Sequence, residues 1–200
     1  MTTNRPSFPI VTFKPLSTSH FQAMAIWLNT PHVSQWYGEG TAWDLQNTHK
    51  KYRTYVDGYA LVDNTKRPIR GFIITIDDTP IGYIQYYYAY DFPRIPELST
   101  TELPLDLAAI DFFIGQVDYV GKGLGPAIVT QFLDEQVWNK FDACFVDPDT
   151  KNNRAIRACE KAGFKTLNKT NKGVTTWMIA LKDPLYTPST QCKPLCCCSG

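Results

Sequence analysis

Two hydrophobic rhythms alternate along the chain. Period-two alternation or short apolar runs mark strands at 8–15 (FPIVTFKP), 69–77 (IRGFIITID), 80–91 (PIGYIQYYYAYD), 107–115 (LAAIDFFIG) and 142–147 (DACFVD). Helical spacing takes over at 17–29 (STSHFQAMAIWLN), where Phe21, Met24, Ile26, Trp27 and Leu28 follow capping residues. Pro31 opens a short helical piece through Trp36 and Tyr37, and 42–56 (AWDLQNTHKKYRTYV) continues as an amphipathic helix. A further helix is predicted over 125–140, and another over 152–164, ended by Gly163 in a left-handed cap. KTLNKT and VTTWMIALK close the pattern as two strands around Asn171-Lys172-Gly173, and Asp77-Asp78-Thr79-Pro80 joins the central strands as a hairpin turn. Residues 92–106 have no period and carry three prolines and three acids, the profile of a long functional loop.

Composition narrows the classes. At 200 residues and 44% hydrophobic, the chain suits a single domain over 1–182 followed by a flexible tail, 183–200. A net charge of +1 without a polybasic block argues against nucleic acid as a partner. No apolar run reaches signal-peptide or membrane-spanning length, so a soluble cytoplasmic protein is expected. Cys144 and Cys159 sit in apolar patterns as reduced, buried thiols. Cys192, Cys196, Cys197 and Cys198 crowd the tail without a histidine or a zinc spacing, so no metal site is expected. The final CCSG imitates a prenylation box only formally, since Cys198 and Ser199 are not aliphatic.

The chemistry begins at Asp118–Leu133, DYVGKGLGPAIVTQFL, where three glycines at alternate positions precede an apolar helix. Glycine lets backbone N–H groups turn toward a ligand, and the helix start adds unpaired N–H groups and a positive dipole end. That combination suits a pyrophosphate. The nucleoside-triphosphate motif fails because Gly123 follows Lys122, and the dinucleotide fingerprint fails because Gly121, Gly123 and Gly125 read GxGxG. Alone, the loop fits a tight strand-to-helix connection equally well.

The loop is followed by DPDTKNNRAIRACEKAGFK. The order of strand, VGKGLG, helix, strand and NNRAIRACEKAGF resembles the GNAT superfamily of acetyl-CoA-dependent N-acetyltransferases, and within it the aminoglycoside 6'-N-acetyltransferases. The segments PIGYIQYYYAYD and VSQWYGEG are similar to that group as well, so the likeness spans Trp27 to Lys182. It implies an α+β fold of three layers: a central, twisted, mostly antiparallel sheet with helices on both faces and two strands splayed apart near Gly115 and Asp147. It also implies acetyl-CoA as cofactor. The amides of Val120, Gly121, Lys122, Gly123, Leu124 and Gly125 would hold its pyrophosphate. Backbone from Phe113 through Gly115 to Gln116 would bond its pantetheine, with Asn152 nearby. Trp36 and Tyr37 would line the acceptor pocket, and Asp91 would bind substrate. The partner would be a small polycationic amine, and the protein a monomer or homodimer.

The reaction itself asks for certain groups. An alkyl ammonium gives up its proton only near pH about 10, so the site needs a proton acceptor and anions that capture the cation. Asp111 interrupts the apolar strand LAAIDFFIG and shares a face with Ala109 and Phe113, which makes it the candidate base; a structural aspartate paired with a neighbour is the alternative. Backbone N–H near Ile114 could stabilise charge on the thioester oxygen. Asp147, before Pro148, is either a second carboxylate at the amine or a turn cap. Glu97, with Glu102 and Asp106, makes the long loop acidic and suited to a polycation. One departure stands out: Cys159 occupies the place where many of these enzymes have a tyrosine beside the leaving thiolate. The competing class is an acyl-CoA-binding module without turnover, and the competing acceptors are a siderophore hydroxylamine, a polyamine or a protein N-terminus.

Overall fold

The computed structural model describes residues 10–37, 40, 42–92, 103–171 and 173–183. The strands are β1 (Val11–Pro15), β2 (Tyr59–Val62), β3 (Thr65–Ile76), β4 (Thr79–Tyr88), β5 (Leu107–Ile114), β6 (Ala143–Val146), β7 (Lys165–Asn171) and β8 (Thr175–Leu181). The helices are α1 (Phe21–Asn29), α2 (Pro31–Ser34), α3 (Leu45–Val56), α4 (Leu124–Phe132) and α5 (Asn153–Lys161). One sheet runs β1-β3-β4-β5-β6-β8-β7, with β2 added beside β3, and only β5–β6 is parallel. The mostly antiparallel sheet of a GNAT-like fold is therefore present.

Two tight hairpins organise the sheet. Asp77 and Asp78 turn between β3 and β4 with φ of 47° and 64°, and Asp63 and Asn64 turn between β2 and β3 with φ of 48° and 60°. Paired left-handed residues make a primed turn, whose twist matches that of the flanking strands, and Asp and Asn tolerate that region best. The second hairpin is absent from the hydrophobic pattern, because TKRP puts charges and a proline on its returning strand. The tyrosine-rich strand is also shorter than its sequence suggests: it stops at Tyr88, and Ala89–Asp91 wind into one 3-10 turn.

Alternation divides the side chains between two faces. Ile74, Ile84, Tyr86 and Ile110 meet Ile128, Val129 and Phe132 of α4 on one side. Ile73, Tyr83 and Phe113 meet Phe21, Met24, Trp27 and Tyr52 from α1 and α3 on the other. Adjacent Ile73 and Ile74 both reach a core because they point to opposite faces and both faces are covered. Phe132, with no exposed surface, anchors the first layer, a burial that contributes roughly 1.5–3 kcal/mol. Asp44 starts α3 by accepting the Asn47 N–H at 2.6 Å, and Asn152 starts α5 by accepting the Ala155 N–H at 3.1 Å.

Candidate active site

The site begins where two parallel strands part. β5 and β6 pair only over Leu107–Ala109 and Ala143–Phe145. β5 then runs on to Ile114, while β6 ends at Val146 and Pro148, which has no N–H to donate, follows. Gly115 N–H donates to the Ile81 carbonyl at 2.7 Å, and Gln116 N–H shares that acceptor at 3.0 Å. In an antiparallel ladder, pairs that exchange backbone bonds alternate with pairs that do not. Phe113 and Asp111 therefore spend their backbone groups on β4, whereas Ile110, Phe112 and Ile114 turn theirs toward the space β6 has left. This corrects the expectation for Phe113 and Gly115: their amides serve β4, and Gly115 lacks a side chain because a Cβ there would strike the Trp27 ring. The Ile114 carbonyl accepts a hydrogen from His32 Nε2 at 3.0 Å, which draws α2 onto the strand end.

A cavity of about 860 Å³ fills the gap and is lined from both faces of the sheet. Asp111 and Phe112 of β5, Val146 at the end of β6 and Asp147 after it form its edges. Trp36, Tyr37, Trp43, Lys51 and Tyr55 wall one side, and Asn152, Ala155 and Cys159 of α5 wall the other. Asp111, Asp147, Asn152, Cys159, Trp36 and Tyr37 thus come together from four stretches of chain: the segment after α2, β5, the end of β6, and α5 with its cap.

Asp111 is half-buried and held by a directional relay. The buried Tyr83 hydroxyl donates to Gln85 Oε1 at 2.7 Å, and Gln85 Nε2 donates to Asp111 Oδ2 at 2.7 Å. Burial, reinforced by Tyr52, Tyr55 and Asp111, pushes the Tyr83 hydroxyl up, so it stays a proton donor. The relay ends on a carboxylate, the one member that only accepts when ionised. Asp147 lies in the cavity edge, while the local turn cap is Asp149, whose Oδ1 accepts the Lys151 N–H at 2.7 Å. Tyr37 rests edge-on against Phe113 with ring centroids 5.1 Å apart.

The glycine loop is built from backbone. Gly121 and Gly123 have φ of 80° and 76°, and a Cβ at either would meet nothing within 4 Å. Both face open solvent next to the first turn of α4, where N–H groups lack intrahelical partners. Gly125 is different: a Cβ there would lie 3.4 Å from that of Ala158, so its smallness lets α4 and α5 pack. Val120, Lys122 and Leu124 complete the turn, and Lys122 Nζ lies 5.9 Å from the Tyr119 ring centroid. Val120 to Gly125 are not among the residues that line the cavity; as an open, amide-rich turn at a helix start they suit a phosphate.

Cys159 is buried, and burial, with Glu160 adding to it, pushes its thiol up to about 12. It stays protonated at neutral pH and is a poor nucleophile. Asp91 lies outside the cavity wall: the 3-10 turn carries its carboxylate to Arg67 Nη1 at 2.9 Å. Glu97 falls outside the described residues. Among the described residues no cluster of histidine, cysteine and carboxylate could hold a metal. Lys51, Trp43, Tyr55 and Gln85 were not singled out from sequence. Gln85 had a signal, since it interrupts an apolar strand opposite Asp111 as Asp111 interrupts its own.

Comparison with known proteins agrees with this geometry. The acetyltransferase (GNAT) domain family matches residues 17–172, and the chain belongs to that family of acetyl-CoA-dependent N-acetyltransferases. Among characterised relatives, it is similar to aminoglycoside N(6')-acetyltransferase type 1 of Klebsiella pneumoniae, 32% identical over 154 residues, covering 75% of this chain and 72% of the relative. It also matches the lysine N-acyltransferase MbtK of Mycolicibacterium paratuberculosis, 26% identical over 151 residues, 73% of this chain and 61% of that protein. The fold superposes on AAC(6')-Ib bound to coenzyme A and kanamycin with a TM-score of 0.69 at 26% identity, over 86% of this chain and 95% of that one. Against the same enzyme with paromomycin and acetyl-CoA the TM-score is 0.70, over 86% and 93%. No helix among the described residues is long and apolar enough to cross a membrane.

Proposed function

We propose that this acetyltransferase modifies the 6'-amine of an aminoglycoside by direct attack, with Asp111 as the base. The observation that carries the reading is the position of Asp111: a carboxylate oriented by Tyr83 and Gln85, in the wall of a cavity lined from both faces of the sheet at the strand gap. The likeness to relatives that act on aminoglycosides supports the acceptor class.

Each wall then has its task. When bound, acetyl-CoA supplies an acyl thioester. The amides of Val120 to Gly125 hold the pyrophosphate, and the outward backbone groups of Phe112 align the pantetheine as a strand would. The Ile114 N–H is placed to stabilise charge on the acyl oxygen. Trp36 and Tyr37 give the sugar and its ammonium aromatic faces, and Asp147 attracts the cation. Asp111 accepts the amine proton. With its thiol at about 12, Cys159 is a weaker acid than an ordinary thiol near about 8.5, so it can hydrogen-bond a departing thiolate but not protonate it. The returning proton comes from Asp111 or water. Asp91 stays with Arg67 and takes no part.

The test mixes the full chain with acetyl-CoA and kanamycin, follows free thiol, and locates the acetyl group by NMR. Acetylation at the 6'-amine is expected, with Asp111→Asn lowering kcat by about 10²- to 10⁴-fold at unchanged fold. Cys159 in place of tyrosine favours the competing reading of a binding module. Tight coenzyme A binding with no thiol released from acetyl-CoA in the presence of any amine would establish that reading instead.

A further inference from the structure

Lys51 lies one turn before Tyr55 on α3, and both reach the cavity. Its Nζ is 5.8 Å from the Tyr37 ring centroid, 5.2 Å from Trp43 and 5.6 Å from Tyr52. An ammonium within about 6 Å of a ring face is drawn to it, and three rings around one cation make a cage. Tyr52 and Trp43 are 0% and 6% exposed, so the core itself builds the cage. Two chains of contact lead from it to the base. Tyr37 rests on Phe113, which shares a strand face with Asp111, and the Tyr52 ring lies 5.5 Å from Tyr83, the first member of the relay. Lys66 and Lys122, by comparison, each lie over one ring and outside this cavity.

Aromatic faces beside carboxylates are what an incoming alkyl ammonium needs, and here a lysine of the chain already supplies one. We propose that Lys51 is a resident acceptor: it holds the pocket's cation site, and when no external amine displaces it, its Nζ takes the acetyl group. This rests on the acetyl-transfer reading above. Asp111 removes a proton from the Nζ ammonium, and the freed lone pair forms the N–C bond to the acetyl carbon. The C–S bond breaks with its electron pair on sulfur, the nitrogen gives up its second proton to water, and the sulfur takes up a proton from Asp111 or water. The products are Nε-acetyl-lysine and coenzyme A thiol. The modification removes a charge and leaves a bulkier group in the cage, so it occurs once per chain and closes the pocket to other amines.

The experiment incubates the full chain with acetyl-CoA and no amine, and maps acetylation by mass spectrometry over time. One acetyl group on the peptide carrying Lys51 is expected. Lys51→Arg should abolish that gain, Asp111→Asn should slow it about a hundred-fold, and kanamycin should suppress it. Without acetyl-CoA, kanamycin should protect Lys51 from labelling by acetic anhydride. An unmodified Lys51, or acetylation spread over surface lysines at a rate indifferent to Asp111→Asn, overturns the proposal. If kanamycin is acetylated while Lys51 stays untouched, this inference alone fails. If no amine is acetylated and Lys51 is untouched, the functional reading fails with it.

Discussion

The two walls of the strand gap are made of different material. The side toward α4 and α5 offers main chain: left-handed Gly121 and Gly123, a helix start, and strand edge beyond the β5–β6 pairing. The wall toward α2 and α3 works with side chains, a carboxylate on a two-member relay and rings carried in from distant helices. The first wall suits a ligand that is constant, because backbone geometry changes little when side chains do. The second suits a ligand that varies among relatives, because each ring or charge can change without disturbing the sheet.

Substitutions can separate the walls. On the side-chain wall, Gln85→Leu should lower kcat by roughly 10- to 100-fold, the loss of a hydrogen bond to a charged group worth about 1.5–3 kcal/mol. It should also destabilise the fold by about 1–3 kcal/mol in urea titrations, because the buried Tyr83 hydroxyl loses its acceptor. Adding Tyr83→Phe should restore much of that stability and none of the turnover. Recovery of both together would reduce the relay to packing.

On the main-chain wall, Gly123→Asp should weaken coenzyme A binding by about ten-fold or more, through roughly 1–2 kcal/mol of left-handed strain and an anion placed at an anion site. Calorimetry without acceptor reads this directly. An unchanged Kd would sink the phosphate assignment while leaving Asp111 untouched.

The smallest effect concerns Cys159, on the α5 wall. Its folded value of about 12 lies above the usual 9.0, so the folded protein keeps a proton that the unfolded chain releases. The associated stability is complete below pH about 9 and is lost as pH rises toward about 12. Melting scans across that window should slope downward, and Cys159→Ala should flatten part of the slope. An identical slope in the variant would assign the loss to the other buried groups, Cys144 and Tyr83 among them.

The same division decides what could be read from the chain before folding. The glycine turn and Asp111 were legible because each is a local violation: three glycines before a helix, one charge in an apolar strand. The strand gap was legible only through the family resemblance, since parallel pairing that stops after Ala109 leaves no trace in hydrophobic period. Lys51 and Trp43 were not legible, because only the packing of α3 on β3 and β4 turns that helix edge toward β5. Asp91 was read as substrate-binding through the family resemblance alone, and the 3-10 turn after Tyr88 carries it to Arg67.

The parting of β5 from β6 has a consequence for measurement. In heavy water, successive amides of one strand should keep time differently: Phe113 and Gly115, tied to β4, should hold their hydrogens, while Phe112 and Ile114 should surrender them quickly. A tethered thioester arm lying along that edge would slow the fast set and leave the slow set as it was. Occupancy could then be watched residue by residue in a resting protein.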